Sequence, residues 1–252
     1  MSSIPSPALV PSSPLPLKIP TLAELEEMVR EPDERVVIRD VDYAFYERLV
    51  DSIPEDVHID VDYDGKDLEI MGHGRRHEQI NELLGYLVMV MTEELRLPYE
   101  SLAKTTWKRP DLARGLEADQ CYYFRLEKLA ADAAARARGS DDIADYPNPD
   151  LAIEVDVSRS KIDRPAIYSA LGVAEIWRFE ADRERIVVER LDDDGQYRRI
   201  EESQFLSIQP DEIRRWVVDE DSASRWAWAR RLRAWVRAEI APRREVQPEE
   251  TP

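Results

Sequence analysis

Two acidic residues stand in the middle of apolar stretches, where a charge is unexpected. Residues 149–157 are short, apolar and rich in β-branched side chains, which is typical of a buried strand, and Glu154 lies near the centre. Residues 116–124 form a second predicted strand, which carries Asp119. A buried carboxylate is costly unless it is paired, so Glu154 either lies where its strand opens to solvent or contacts a cation. Two acids on neighbouring strands can hold a divalent metal ion through their oxygens.

Two further side chains belong to the same predicted strands. Asp156 shares a face with Glu154 by strand alternation, so it is either a third metal ligand or a solvated acid. Cys121 is the one cysteine in the chain, which excludes an internal disulfide and fits a reducing compartment. We therefore expect a cytoplasmic protein in which Cys121 is a small core residue.

Composition limits the classes of function. The chain has 252 residues, a hydrophobic content of 43% and a formal net charge of -18. Such an acidic chain is not expected to grip nucleic acid over a broad surface, although a local basic patch or bound cations could still do so. The longest apolar stretch, around residues 83–91, is too short to span a membrane, and the first residues lack the pattern of a signal peptide.

The chain divides into three parts by composition. Residues 1–20 are rich in Pro and Ser, which predicts a disordered leader, and residues 21–217 hold the predicted elements of one domain. Within that domain, residues 57–63 alternate apolar and polar side chains and precede Asp64-Gly65, a strong hairpin signal. Apolar side chains at helical spacing predict a long helix over residues 76–95. A helix also follows the Glu154 strand and ends at Gly172, so the pattern predicts an α/β fold, a mixed sheet flanked by helices.

The third part, residues 218–252, holds a basic helix rich in Trp and Arg over residues 222–240, followed by a polar tail. Arg and aromatic side chains can contact phosphates and bases. The interpretation we favour is an amphipathic helix that packs its Trp face on the domain or on a partner subunit. Because exposed Trp side chains need a covering surface, we predict a homodimer.

Several motifs occur in an order that resembles a known family. They are Tyr63 to Met71, His77-Glu78, Gly115 to Asp119, Pro149 to Val155 and Ile167 to Trp177. Over roughly residues 35–215 the chain resembles the Uma-two family of endonucleases, which is similar to the PD-(D/E)XK restriction-endonuclease superfamily. The resemblance implies a restriction-endonuclease-like sheet, Mg²⁺ (or Mn²⁺) as cofactor and hydrolysis of phosphodiester bonds in nucleic acid, with DNA as the expected substrate.

The resemblance also implies roles for individual residues. The two metal carboxylates fall on Asp119 and Glu154. The superfamily lysine two positions after the second acid is Asp156 in this chain, and the lysine that this family places on the following helix is Arg164. An arginine cannot act as a general base, so Arg164 would only orient groups and stabilise charge.

Two more residues enter the implied catalytic set. Lys161 lies one helical turn before Arg164, would share its face and could substitute for the missing lysine. His77 matches a recurrent family histidine at the start of the long helix.

Two hypotheses about function follow. The first is a metal-dependent endonuclease with Asp119 and Glu154 as metal ligands. The second is a family member whose site has lost its catalytic residues and which serves as a binding or assembly module. The first hypothesis is the prediction, the substituted lysine and the acidic net charge support the second as the alternative, and divalent-metal binding distinguishes the two.

Overall fold

The computed structural model of the protein describes residues 18–54, 57 and 59–246. The predicted leader, except for its last three residues, and the end of the predicted polar tail lie outside the described residues. The strands of the described part are β1 (Arg35–Ile38), β2 (Ile59–Tyr63), β3 (Leu68–Gly72), β4 (Glu100–Arg109), β5 (Arg114–Tyr123), β6 (Leu151–Asp156), β7 (Glu175–Glu180), β8 (Arg185–Leu191) and β9 (Tyr197–Arg199). The helices are α1 (Leu22–Met28), α2 (Tyr43–Ser52), α3 (Arg75–Leu95), α4 (Leu126–Ala137), α5 (Arg164–Leu171), α6 (Pro210–Arg214), α7 (Arg225–Trp235) and α8 (Ala241–Val246).

All nine described strands belong to one mixed sheet. Its order is β1-β3-β2-β5-β6-β7-β8-β9, with β4 paired to β5 outside this path. The β6–β7 pair is parallel, and α5 makes the crossover between these two strands, whereas the other pairs are antiparallel. Helices flank the sheet, so the predicted α/β class and mixed sheet are confirmed.

The two helices next to the predicted site begin and end where local chemistry requires. Helix α3 begins after Gly74 and ends at Arg96, which adopts the left-handed conformation. Helix α5 begins after Asp163, whose side chain accepts a hydrogen bond from the N–H of Ala166, and ends at Gly172 with a φ of 66°. The left-handed conformation suits a glycine, because a Cβ atom would be strained there.

The hydrophobic core lies on both faces of the sheet. One cluster packs α3 and α7 against β6, β7 and β8, a second lies under α5, and a third joins α2 to β2 and β3. The Trp residues of the C-terminal region belong mostly to the first cluster: Trp228 is fully buried and Trp235 packs against Trp216. Trp226, by contrast, is 70% exposed. The Trp face of this helix therefore packs on its own domain, so covering it does not require a partner subunit.

Among the described residues, none of the helices combines the length and apolar character needed to cross a membrane.

Candidate functional site

The candidate site is a fork in the sheet. Strand β5 pairs with β4 along one edge, and its other edge pairs first with β2 at Gly115 and then with β6 at Gln120–Tyr122. Between these pairings β2 and β6 diverge, and backbone N–H groups at the opening need other acceptors. Carboxylates supply them: Asp62 Oδ1 accepts from the N–H of Glu117 at 3.1 Å, and Asp119 Oδ2 accepts from the N–H of Val155 at 2.8 Å. The fork is thus lined by acids held by the backbone.

Glu154 is buried in this fork together with a cation and a phenol. The Nη2 atom of Arg164 lies 2.7 Å from Glu154 Oε2, and the hydroxyl of Tyr168 donates to Glu154 Oε1. Both partners come from α5, the helix that follows the strand carrying Glu154. Both carboxylate oxygens of Glu154 therefore already have a partner.

Arg164 binds two further acids. Its Nε atom lies 2.9 Å from Asp62 Oδ2, and its Nη1 atom lies 3.6 Å from Asp156 Oδ1. Arg164 is 6% exposed, and an arginine keeps its charge even at such a site. Of the two environments proposed from sequence for Glu154, an opening to solvent or a contact with a cation, the structure has the second.

Burial determines how these acids titrate. It raises the pKa of Glu154 well above its ordinary value although Arg164 opposes this, and it raises the pKa of Asp62 to about 6. Desolvation penalises the charged carboxylate, and one guanidinium shared among three acids cannot fully offset that penalty. Part of the acid set therefore holds a proton near neutral pH more readily than an exposed carboxyl would.

Asp119 is held from the opposite side of the fork by the long helix. His77, in the first turn of α3, places Nε2 3.1 Å from Asp119 Oδ2, and both residues are buried. The structure thus brings the two predicted residues His77 and Asp119 into direct contact. Asp119 also lies on the strand next to Glu154, as expected from sequence.

A second polar cluster adjoins His77. His73 places Nε2 2.6 Å from Asp60 Oδ2, and Lys104 binds the other oxygen of Asp60 while its Nζ lies 3.3 Å from Glu117 Oε1. Burial alone would lower the pKa of His73, but the hydrogen bond and charge of Asp60 outweigh it, so this pKa lies above its ordinary value. The two polar clusters meet along β2, which supplies Asp60 to one and Asp62 to the other.

Lys161 is placed differently from the prediction. Helix α5 begins only at Arg164, so Lys161 precedes the helix and does not share a helical face with it. Its N–H donates to Glu69 Oε2 at 2.6 Å, and its ammonium group donates to the carbonyl of Arg35. Among the described residues it contacts neither of the two predicted metal carboxylates.

Asp156, predicted as a third metal ligand, also pairs with arginine. Besides Arg164, it accepts a hydrogen bond from Nη2 of Arg35 at 3.2 Å. Arg35 is itself buried and binds Glu69 with its other terminal nitrogen at 2.6 Å. The acids Glu154 and Asp156 therefore bind arginine in this structure, and a metal ligand role for Glu154 requires Arg164 or Tyr168 to release one of its oxygens.

Several polar residues of the fork were not identified from sequence: Asp60, Asp62, His73, Lys104 and Tyr168. The alternation in residues 57–63 indicated a strand with a polar face, but every residue of β2 is buried. The signal that could have revealed Asp60 and Asp62 is their spacing of two on a strand whose other face is apolar. Tyr168 was visible within the family motif, although no role followed from its position there.

A known protein family shares the sequence pattern of this chain. A family model described as Uma2, putative restriction endonuclease, matches residues 43–216, which is more than half of the chain. The chain is also similar to a solved structure described as a putative nuclease belonging to DUF820 from Anabaena variabilis ATCC 29413. The two share 12% sequence identity and a TM-score of 0.46, and the match covers 71% of this chain and 99% of the other. No curated protein matches the chain significantly.

Proposed function

We propose that this chain, which belongs to the Uma2 family of putative restriction endonucleases, hydrolyses phosphodiester bonds in DNA with the help of a divalent cation. The observation that carries the proposal is a cavity of about 510 Å³ that opens beside Glu154 and in whose lining arginine is the most frequent residue type. A site for the polyanionic backbone of DNA needs such a local excess of positive charge, above all in a chain with a net charge of -18.

The cavity contains more arginines than acids. Its arginines are Arg159, Arg164, Arg178, Arg183, Arg185 and Arg199, and its acids are Glu154, Asp156, Glu180 and Asp182. Some of these arginines are neutralised: Arg183 and Arg185 bind Glu180. Arg159 and Arg199, however, form no ion pair with any described residue. They can therefore bind phosphate oxygens without first breaking an ion pair within the described part of the protein. Arginine also binds phosphate through two parallel hydrogen bonds.

Arg164 provides the link between this cavity and the buried acids. It lines the cavity and binds Glu154 at 2.7 Å, so a phosphate in the cavity would meet a guanidinium whose position is fixed by carboxylates. A charge held in place in this way can stabilise the negative charge that develops on the phosphate in the transition state. In this proposal Arg164 carries that role and does not take up the proton of the attacking water, because a guanidinium stays protonated.

The residues of the fork fit a divalent cation best at Asp119. This acid is buried, is positioned by the N–H of Val155, and has a histidine rather than an arginine as its side-chain neighbour. A bound divalent cation would lower the pKa of a water molecule and neutralise charge on the phosphate. Glu154 can join such a site when Arg164 or Tyr168 releases one of its oxygens. We therefore propose Asp119 as the first ligand of Mg²⁺ or Mn²⁺, joined by Glu154 and Asp156 when their contacts with arginine open.

The test is a cleavage assay on single- and double-stranded DNA and RNA with EDTA, Mg²⁺ or Mn²⁺. We expect cleavage of DNA that requires the metal and that falls by more than about a hundredfold in Asp119→Asn. Arg164→Lys, which restores the family residue, should keep or raise the rate. If the parent protein cleaves none of these substrates with either metal, the enzymatic proposal is wrong.

The arginine cavity has its own test. The double variant Arg159→Ala/Arg199→Ala should weaken DNA binding and reduce the slope of log K against log salt concentration by about two, because each arginine would neutralise one phosphate. The matched control is Arg190→Ala, an exposed arginine on β8 outside the cavity, which should leave this slope unchanged. Equal effects of the cavity and control variants would contradict the assignment of the cavity to DNA.

The second candidate function is a binding or assembly module without catalysis. The observation that favours it is that both oxygens of Glu154 are engaged by Arg164 and Tyr168. It predicts DNA binding through the cavity with no cleavage by the parent protein in any metal. The cytoplasmic location stays a prediction. The homodimer also stays a prediction, and light scattering at high micromolar concentration tests it by measuring the molar mass in solution.

A further inference from the structure

A group of possible metal ligands lies beside the fork, at the start of α3. One nitrogen of His73, one nitrogen of His77 and one oxygen of Asp119 all lie within 4.8 Å of one another. The two histidines are four residues apart, and their ring centroids lie 3.9 Å apart. Ligand bonds of about 2.0–2.2 Å put the ligand atoms of a tetrahedral site about 3.4 Å apart. Small side-chain rotations would therefore bring these three groups onto one ion.

The two nitrogens of His77 have different surroundings. His77 is fully buried, and its Nε2 atom lies 3.1 Å from Asp119 Oδ2, so Nε2 is the atom that an ion shared with Asp119 would contact. Its Nδ1 atom makes no hydrogen bond with any described residue and lies 3.5 Å from Glu78 Oε1. Nothing in the described part of the chain therefore holds the proton on one particular nitrogen of this ring, so Nε2 is available as a ligand.

The other histidine also has a carboxylate behind it. The imidazole of His73 has Nε2 2.6 Å from the buried carboxylate of Asp60, an ion-pair contact that lacks hydrogen-bond geometry, which leaves Nδ1 as the atom that can face an ion. That Nδ1 lies 3.1 Å from Glu78 Oε1, on a side chain that is 56% exposed and so can swing aside or add an oxygen ligand. A carboxylate behind the histidine fixes the ring and increases its basicity toward a metal.

The charge of the surroundings also favours a cation. Four acids lie in or beside this cluster: Asp60, Glu78, Glu117 and Asp119. Among the described residues, Lys104 is the lysine or arginine that forms ion pairs with any of them. Unlike Glu154, none of these acids binds a buried arginine among the described residues. A cation added here would therefore reduce an existing excess of negative charge.

We propose that His73, His77 and Asp119 bind a divalent transition-metal ion of the zinc and cobalt type. Two imidazoles and one carboxylate favour such ions over Mg²⁺, which prefers a shell of oxygens. The inference deepens the proposed function and rests on it, because it shares Asp119 with that site and identifies the class of metal and the two nitrogen ligands. The ion would lie on the α3 side of the fork, while Arg164 holds Glu154 on the α5 side.

The experiment uses the full chain, stripped of metal with EDTA and titrated with Co²⁺. Binding to imidazole nitrogen at a four-coordinate site gives visible absorption bands of Co²⁺, and competition with Zn²⁺ gives the Zn²⁺ affinity. We expect one equivalent of Co²⁺, and an affinity at least about a hundredfold lower in His73→Ala, since an orienting residue alone is worth about 10–100-fold. Zn²⁺ should raise the Tm of the parent protein and leave that of His73→Ala unchanged.

Glu189→Gln is the matched control, because it removes an acid paired with an arginine, Arg178, and leaves the histidine cluster intact; it should bind Co²⁺ as the parent does. Glu154→Gln locates the ion: loss of Co²⁺ binding in this variant would place the ion at the Asp119–Glu154 pair instead and overturn the inference. Because the side chains of His73 and His77 are both buried, each alanine variant is first checked by circular dichroism for a folded state. A parent protein that binds neither ion, or a His73→Ala variant that binds as tightly as the parent, would overturn the inference.

The outcome is separable from that of the nuclease proposal. Co²⁺ bound by the histidines in a protein that cleaves no nucleic acid would support this site and refute the nuclease proposal. Cleavage that requires Mg²⁺ in a protein that binds no Co²⁺ would do the reverse.

Discussion

Removal of the Arg164 side chain should cost stability as well as activity, because three carboxylates depend on it. Its nitrogens lie 2.7 Å from Glu154, 2.9 Å from Asp62 and 3.6 Å from Asp156, and only 8% of its side chain is exposed. Breaking a buried ion pair by removing one partner costs about 3–5 kcal/mol, because the other charge stays buried. At about 2–4 °C per kcal/mol for a protein of this size, Arg164→Ala should lower the Tm by about 6–20 °C.

The assay is thermal unfolding followed by circular dichroism at pH 5 and pH 8. The loss in Arg164→Ala should be smaller at pH 5, because burial raises the pKa of Glu154 and proton uptake removes the unpaired charge as the pH falls. Arg164→Ala/Glu154→Gln should recover part of the loss for the same reason. Arg164→Lys keeps the positive charge, but a single ammonium group cannot contact all three acids as the guanidinium does. We therefore expect a Tm between those of the parent and Arg164→Ala.

The matched control is Arg198→Ala. Arg198 also pairs with an aspartate, Asp192, but its side chain is 67% exposed, so its loss should cost no more than about 1 kcal/mol. If Arg164→Ala is no less stable than this control, or if its loss is equal at the two pH values, the guanidinium does not compensate buried charge in the way described. Such changes should affect stability as well as the rate, because Arg164 and Glu154 are both buried.

Three further predictions test the surroundings of the site. Because burial raises the pKa of Asp62 from 3.8 to about 6, the folded state binds a proton that the unfolded state releases, and the free energy of unfolding should fall as the pH rises from about 4 to 6. In urea titrations Asp62→Asn should flatten the dependence of this free energy on pH, and an unchanged slope would contradict the raised pKa of Asp62. Gly115→Ala should destabilise the protein by at least about 1–3 kcal/mol in urea unfolding, since its Cβ would lie 2.1 Å from the hydroxyl of Tyr46; a neutral effect would show that the ring moves freely. In thermal unfolding, Trp228→Ala should lower the free energy of unfolding by about 3–5 kcal/mol because the ring is fully buried, whereas Trp226→Ala should change it by no more than about 0.5 kcal/mol because that ring is 70% exposed. Similar losses for the two variants would mean that the ring of Trp226 is covered in solution.

The sequence alone determined the elements that depend on local chemistry. Apolar spacing over one face predicted α3 to within a residue of its start, and Asp64-Gly65 predicted the turn between β2 and β3. Gly172 marked the end of α5, because the left-handed conformation there suits a residue without a Cβ atom. Two acids in apolar strands also identified β5 and β6 as neighbours, and the order of motifs identified the family.

Only the tertiary structure decided which charges meet. The fork exists because β5 changes partner from β2 to β6, strands that lie far apart in the chain, and no local pattern encodes that change. The packing of the layers buries both faces of β2, so that Asp62 contacts Arg164 instead of water. It also brings His77 against Asp119 from a helix 42 residues earlier. Pairings between distant segments follow from how all the layers pack together, and the free energy of a buried charge depends on those pairings rather than on its neighbours in sequence.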